Sequence, residues 1–215
     1  MIGRRPVYTV AVSIFLIRHG ETEDNAARVV QLPSSPLSKR GRAQAERLAR
    51  RLASVGIVHV VSSDFPRAAA TAEAVQRASG APLSFEPLLQ ERNFGDLRGT
   101  PYADLGVDMF AEDYAPPRGE TWAAFHQRVD QAWERVQALA SRIDGHLAVV
   151  THGLVCRSLT ARHLTLAAGD TVPLRWENAA VTIAEGPAPW RVCLLNCVAH
   201  LADLDGAPAG PLGSV

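Results

Sequence analysis

The feature that most constrains this chain is a set of short apolar runs, each followed by a segment of helical period. Val7–Ile17 (VYTVAVSIFLI), Ile57–Ser62 (IVHVVS) and His146–Thr151 (HLAVVT) are rich in β-branched residues and show little polar alternation. A strand with one wet face alternates apolar and polar residues. A strand buried on both faces of a parallel sheet does not. The segments between them read as helices. Ser38 caps a helix over Ser38–Val55, with Ala45, Leu48, Ala49, Leu52 and Val55 on one face and Gly56 at its end. Pro66 opens a second helix that reaches Gly80, and Leu83–Phe85 is a short third strand. Thr121–Ile143 is strongly amphipathic through Trp122, Phe125, Val129, Trp133, Val136 and Leu139, and Asp144-Gly145 breaks it. Gly153 to about Leu166 is helical. Ala180–Ala184 and Arg191–Cys197 read as two final strands, a hairpin across Glu185–Pro189. Strands alternating with helices predict an α/β fold: a three-layer α/β/α sandwich around a mostly parallel sheet.

The 215 residues fit one domain, read here as 1–200, with a leader at 1–6 and a frayed tail at 201–215. Arg4-Arg5 and the run ending at Ala11-Val12-Ser13 loosely imitate a secretory signal. That run is short and continues into IFLIRHG, so it reads as a leader and first strand. No run reaches the roughly 18 apolar residues of a membrane span. Lys+Arg and Asp+Glu are 22 each, without the basic excess of a nucleic-acid binder. Lys39 is the single lysine. Three cysteines, Cys156, Cys193 and Cys197, are too few for a disulfide framework and fit a reducing cytoplasm. Cys193 and Cys197, four apart in an apolar run, lack partners at zinc spacing and read as core thiols. Residues 86 to 117 show little periodicity, and so long a loop in a compact domain is either functional or disordered. Residues 100–120 within it are read as a substrate lid. Its Asp104, Asp108, Glu112 and Asp113 are expected to repel strongly anionic leaving groups.

In a parallel α/β sheet the ligand sits at the carboxyl ends of the strands. Arg18-His19-Gly20 follows the first strand, Ser62-Ser63 and then Arg67 the second, and Thr151-His152-Gly153 the fourth. Glu91 opens the irregular segment. Gly20 and Gly153 are expected to admit a ligand close to the backbone. Two guanidinium forks with two imidazoles ask for a concentrated anion, above all phosphate. No Gly-Lys-Ser/Thr loop occurs, and no metal-ligand set is visible. A neutral imidazole held at its other nitrogen can attack phosphorus. Arginines would neutralise the phosphoryl oxygens, and a carboxylic acid would protonate the leaving oxygen.

FLIRHGETEDN, SSDFPRAAATAE, ERNFGDLRG and VVTHG, in that order, resemble the histidine phosphatase superfamily, the phosphoglycerate mutase-like group. The likeness runs from Ile14 to about Asn196. It implies a phosphoglycerate mutase-like fold and a phosphohistidine formed on His19. It implies that Arg18, Arg67, His152 and Asn25, with Gly153 beside them, bind the phosphoryl group. Glu91 matches the family's acid, which protonates the leaving alcohol and then deprotonates the attacking water. No metal or organic cofactor is implied, and the substrate is a small phosphate monoester. Thr22, Arg92, Tyr102 and Arg118 are the candidates for holding its leaving group. Two other readings stay open: a cofactor-dependent phosphoglycerate mutase and a non-catalytic phosphate-binding module. The mutase branch carries a lysine soon after the glutamate motif and an arginine pair in the insertion. Thr100–Tyr102 holds no lysine, and Met109–Arg118 supplies only Arg118. The phosphatase branch is therefore the reading carried forward.

Overall fold

The computed structural model describes residues 12–204. Its strands are β1 (Ser13–Arg18), β2 (Ile57–Ser62), β3 (Leu83–Phe85), β4 (His146–Thr151), β5 (Val181–Glu185) and β6 (Arg191–Cys197). Its helices are α1 (Glu23–Ala26), α2 (Lys39–Leu52), α3 (Pro66–Ser79), α4 (Trp122–Ala140) and α5 (Gly153–His163). The six strands form one sheet in the order β3-β2-β4-β1-β5-β6. β1, β2, β3 and β4 run parallel, while β5 pairs antiparallel with both β1 and β6. The fold is a three-layer α/β/α sandwich with a mostly parallel sheet, and the final two strands form the expected hairpin.

Side chains of β1 and β4 alternate between two apolar layers, as the period of a strand requires. Ile14, Leu16, Leu147 and Val149 pack with Phe125, Val129, Trp133 and Val136 of α4 and Val155 and Leu159 of α5. Phe15, Ile17, Ala148 and Val150 pack with Leu48 and Leu52 of α2 and Ala68, Ala72 and Val75 of α3. Both faces of the two central strands are covered, which is why their sequences are continuously apolar. Each large side chain buried this way stabilises the fold by about 1.5–3 kcal/mol.

The structure shortens several expected elements. Ser38 caps α2 through Gly41 N–H, but the helix ends at Leu52, before the Val55 expected from its apolar stripe. α4 stops at Ala140 rather than Ile143, and α5 at His163 rather than near Leu166. Val55 and Ile143 still pack against the core from beyond the helix ends. The leader at 1–6 and residues 7–11 of the expected first strand lie outside the described residues, as do 205–215. Of the expected tail at 201–215, only 201–204 are described. Ala199–Leu204 is a 3-10 turn, and Leu201 is buried. Cys193 is exposed and Cys197 half-buried; only Cys156 is a core thiol.

Residues 86–120 wind through three 3-10 turns, Pro87–Leu89, Gly95–Leu97 and Tyr102–Asp104. They are tied to the segment after α1: Val30 N–H donates to Thr100 O (3.0 Å), Gly99 N–H to Val30 O (2.7 Å) and Tyr102 N–H to Arg28 O (2.8 Å). At the other end Glu120 N–H donates to Asn93 O at 2.8 Å. This segment walls one side of the sheet's carboxyl edge.

Candidate active site

β1, β2 and β4 deliver their carboxyl-terminal residues to one edge. His19 N–H donates to Thr151 O at 2.9 Å and Ser63 N–H to Val150 O at 2.9 Å, so the three strand ends are held in register. The turn after β1 then packs on the start of α2. A Cβ on Gly20 would come within 2.5 Å of Gly41 O, and one on Gly41 within 1.9 Å of Glu21 O. Gly20 therefore makes room for α2 and not for a ligand. Gly153 does border the cavity, with only the Arg18 side chain near an added Cβ, at 3.6 Å.

His19 and His152 are buried, their rings in edge contact with centroids 5.1 Å apart. His19 Nδ1 lies 2.6 Å from Gly20 O. A carbonyl only accepts, so Nδ1 carries the proton and Nε2 keeps its lone pair. Burial, then Arg67 and Arg18, lower the pKa of His19 well below the ordinary histidine value. The ring is therefore neutral at neutral pH, which a nucleophile requires. His152 is lowered for the same first reason, burial, then by Arg67, His19 and Arg18. Its Nε2 meets Ser63 Oγ at 2.8 Å, and its Nδ1 is buried without a partner.

Arg18 donates from Nη1 to Trp176 O, and Arg67 from Nη1 to Leu32 O at 3.1 Å. The Nε of each is buried without a partner. Burial lowers both arginines, Arg67 to about 10, yet both stay charged at neutral pH. Among the described residues six buried side-chain polar atoms lack a partner. Three belong to Arg18, Arg67 and His152 and a fourth is Trp176 Nε1. Buried donors seldom stay unsatisfied, so this concentration marks a ligand site. Glu91 accepts from Arg92 N–H (3.0 Å) and Leu154 N–H (3.2 Å). Burial raises its pKa above the ordinary carboxylate value, against the pull of those hydrogen bonds and of Arg67 and Arg18.

Asn25 Oδ1 accepts from Thr22 N–H (3.3 Å) and Asn178 Nδ2 (3.1 Å), leaving its own amide N–H groups for a ligand. An inner recess of about 70 Å³ is lined by Arg18, His19, Asn25, Arg67, Glu91 and Arg98, among others. It adjoins an outer chamber of about 310 Å³, and the two share Arg18, Asn25, Glu91, Phe94 and Tyr102. The recess suits one phosphoryl group, and the chamber suits what is esterified to it.

The sequence-predicted leaving-group residues separate. Tyr102 lines both cavities. Thr22 is buried and caps α1, its Oγ1 accepting from Asn25 N–H (3.0 Å) and Gln31 Nε2 (3.0 Å), so it positions Asn25. Arg92 borders the recess, but it donates to the carbonyls of Met109 (3.2 Å), Tyr114 (2.8 Å) and Glu120 (3.0 Å), and its guanidinium stacks 3.8 Å over Trp122. It fastens the 100–120 segment instead of facing a substrate. Arg118 points away to Asp96 at 2.5 Å and lines neither cavity. Arg28, Arg157, Arg175, Trp176 and Asn178, which sequence reasoning missed, line the outer chamber. Asp104, Asp108, Glu112 and Asp113 do not, so the expected acidic wall is absent from it. Among the described residues no three His, Cys, Asp or Glu side chains form a metal-ligand group, and no helix is long and apolar enough to cross a membrane.

Known proteins resemble this chain in sequence and in fold. The chain is 31% identical over 212 residues to the "Probable phosphoglycerate mutase GpmB" of Proteus mirabilis, covering 90% of this chain and 96% of that one. The crystal structure of the alpha-ribazole phosphatase from Shigella flexneri superposes with a TM-score of 0.73 at 27% identity, over 86% of this chain and 96% of that one. A phosphoglycerate mutase structure from Bacillus anthracis gives 0.78 at 25% identity, over 92% and 98%. Phosphatases and mutase-like proteins thus stand side by side among its relatives. The sequence profile of the histidine phosphatase superfamily (branch 1) matches residues 14–195, and the chain belongs to that superfamily.

Proposed function

We propose that the protein is a metal-independent phosphomonoesterase that hydrolyses a small phosphorylated metabolite through a phosphohistidine on His19. The observation that carries this reading is the neutral, Nδ1-anchored His19 set among unpartnered donors of Arg18, Arg67 and His152. Nε2 of His19 attacks phosphorus. The ester P–O bond breaks, and its electron pair goes to the leaving oxygen, which takes a proton from Glu91. Arg18, Arg67, His152 and Asn25 hold the phosphoryl oxygens, supplying the positive charge and donors that a metal ion supplies elsewhere. Glu91, now ionised, takes a proton from water. That water attacks the phosphohistidine, releasing phosphate and restoring His19. The three free thiols fit the cytoplasm as the place of this reaction.

Transfer between phosphoglycerates is the second reading, favoured by the names of the mutase relatives. It differs only in what takes the phosphoryl group from His19. Against it, the Met109–Arg118 insertion places no arginine in either cavity.

The test is hydrolysis of 4-nitrophenyl phosphate in excess EDTA, wild type beside His19→Ala. We expect turnover by the wild type and a loss of at least about 1,000-fold in the variant, as when other catalytic nucleophiles are removed. Equal rates would remove His19 from its role. No turnover by the wild type, with His19 phosphorylated by a bisphosphoglycerate, would identify a mutase. Phosphate binding with neither reaction would identify a binding module.

A further inference from the structure

The outer chamber carries more positive charge than one phosphoryl group uses. Apart from Arg18 and Glu91, its charged residues are Arg28, Arg157 and Arg175 against Asp24 alone. Asp24 already accepts a hydrogen bond from Ser35 Oγ. Arg157 is half-buried on α5, one turn beyond His152, and has no hydrogen bond or ion pair with any described residue. A half-buried guanidinium with no counter-charge beside it keeps its donors for an anionic ligand. Arg175 reaches a carboxylate only at 3.9 Å, on Glu177, with both side chains well exposed. Arg28 rests over the Tyr102 ring at 5.9 Å. Three cations from three separate segments therefore face one cavity, beside a fourth donor, the buried and unpartnered Trp176 Nε1.

We propose that the alcohol esterified to the phosphate carries a second anionic group, which Arg157 and Arg175 bind in the outer chamber with Arg28 at their side. The inference deepens the phosphomonoesterase reading and rests on it. A guanidinium fork matches a carboxylate or phosphate with two parallel N–H donors, so the second group is of that kind. A neutral alcohol would fill the same volume and leave the three arginines unmatched. An alcohol carrying a cation would meet like charge.

The probes are two isosteric phosphonates, 3-carboxyphenylphosphonate and its neutral 3-carbamoyl counterpart, with binding measured by calorimetry. The matching phosphate esters are assayed for kcat/KM. We expect the carboxylate of each pair to be preferred by about tenfold or more at low salt. The preference should shrink as salt is raised towards 0.5 M, where the Debye length is roughly 4 Å. In Arg157→Gln/Arg175→Gln it should fall towards unity, and Arg157→Lys/Arg175→Lys should retain part of it. A purely structural role for these arginines would not follow charge in this way. Arg77→Gln, at an exposed residue paired with Glu46, should keep the full preference. Equal binding of the two phosphonates, or a preference untouched by the double glutamine variant, overturns the inference. A binding preference without hydrolysis of either ester leaves the second anion standing and overturns the phosphomonoesterase reading instead. Hydrolysis of both esters at equal kcat/KM does the reverse.

Discussion

At the scale of the residue, what was readable was what sits at or soon after a strand's carboxyl end. Arg18, His19, Arg67 and His152 announce themselves because a parallel sheet gathers its strand ends, and the sequence marks where each strand stops. Trp176 and Asn178 were not readable, because they precede β5 and meet the site through contacts remote in sequence. Ala179 N–H donates to His19 O (3.0 Å), Asn178 Nδ2 to Asn25 Oδ1 (3.1 Å) and Arg18 to Trp176 O, and no local pattern encodes these. The sequence offers Thr22, Arg92 and Arg118 as candidates for holding the leaving group. Their donors and acceptors turn out to serve the protein. Glu91 carries the first prediction. Its raised pKa keeps a proton on the acid above the ordinary carboxylate range, so the protonated form persists as pH rises. Esters with poor leaving groups need that proton, and general acids contribute about 10²–10⁴ in rate. Glu91→Gln should lower kcat/KM at least about 100-fold for an alkyl phosphate and far less for 4-nitrophenyl phosphate. The alkaline fall in kcat/KM for the alkyl ester should flatten in the variant. Equal losses on both esters would exclude Glu91 as the acid.

At the scale of the element, β2, β3, β4 and β6 coincide with their sequence reading, and in β2 and β4 burial on the sheet leaves a mostly apolar signature. α1 was missed. It has four residues and no buried side chain, and its only signal is the Thr22-x-x-Asn25 capping box. The 86–120 segment was readable as irregular but not as fastened, since its anchor is one buried arginine whose acceptors are backbone carbonyls. Arg92 holds Met109, Tyr114 and Glu120 together, and Trp122 Nε1 adds a bond to Ala111 O at 2.7 Å. Arg92→Met keeps much of the apolar stem but leaves those carbonyls without a charged donor, at about 1.5–3 kcal/mol for each such bond and with strong non-additivity. We expect a loss of about 2–4 kcal/mol in urea unfolding. Amide exchange should rise first in residues 100–120. A uniform rise across the sheet would mean that Arg92 supports the whole fold and not this segment. If 100–120 is a lid, a phosphate analogue should slow exchange there in the wild type. Unchanged exchange would end that idea.

At the scale of the whole molecule, the sandwich buries groups whose charged forms it disfavours, and stability should depend on pH for that reason. His19 and His152 have folded pKa values well below the ordinary 6.5, so between those values the unfolded chain binds more protons. Stability then falls as pH drops below about 6.5, by up to about 1.4 kcal/mol per pH unit for each histidine. Glu91 works in the opposite sense. Its folded pKa lies above the ordinary 4.5, so the folded chain binds more protons in that window and stability falls as pH rises through it. The same burial that suits Glu91 to the proposed role of acid thus costs the fold something at neutral pH, where the carboxyl ionises more readily in the unfolded chain. Thermal midpoints of wild type, His19→Ala and Glu91→Gln, measured from pH 4 to pH 9, test both signs. The acid-side slope should be shallower in His19→Ala. The Glu91→Gln midpoint should gain on the wild type as pH rises, by about 2–4 °C per kcal/mol for a chain of this size. Parallel curves for all three proteins would mean that the two groups titrate alike in the folded and unfolded chain, and that the low-dielectric site inferred for His19 and Glu91 is open to water instead.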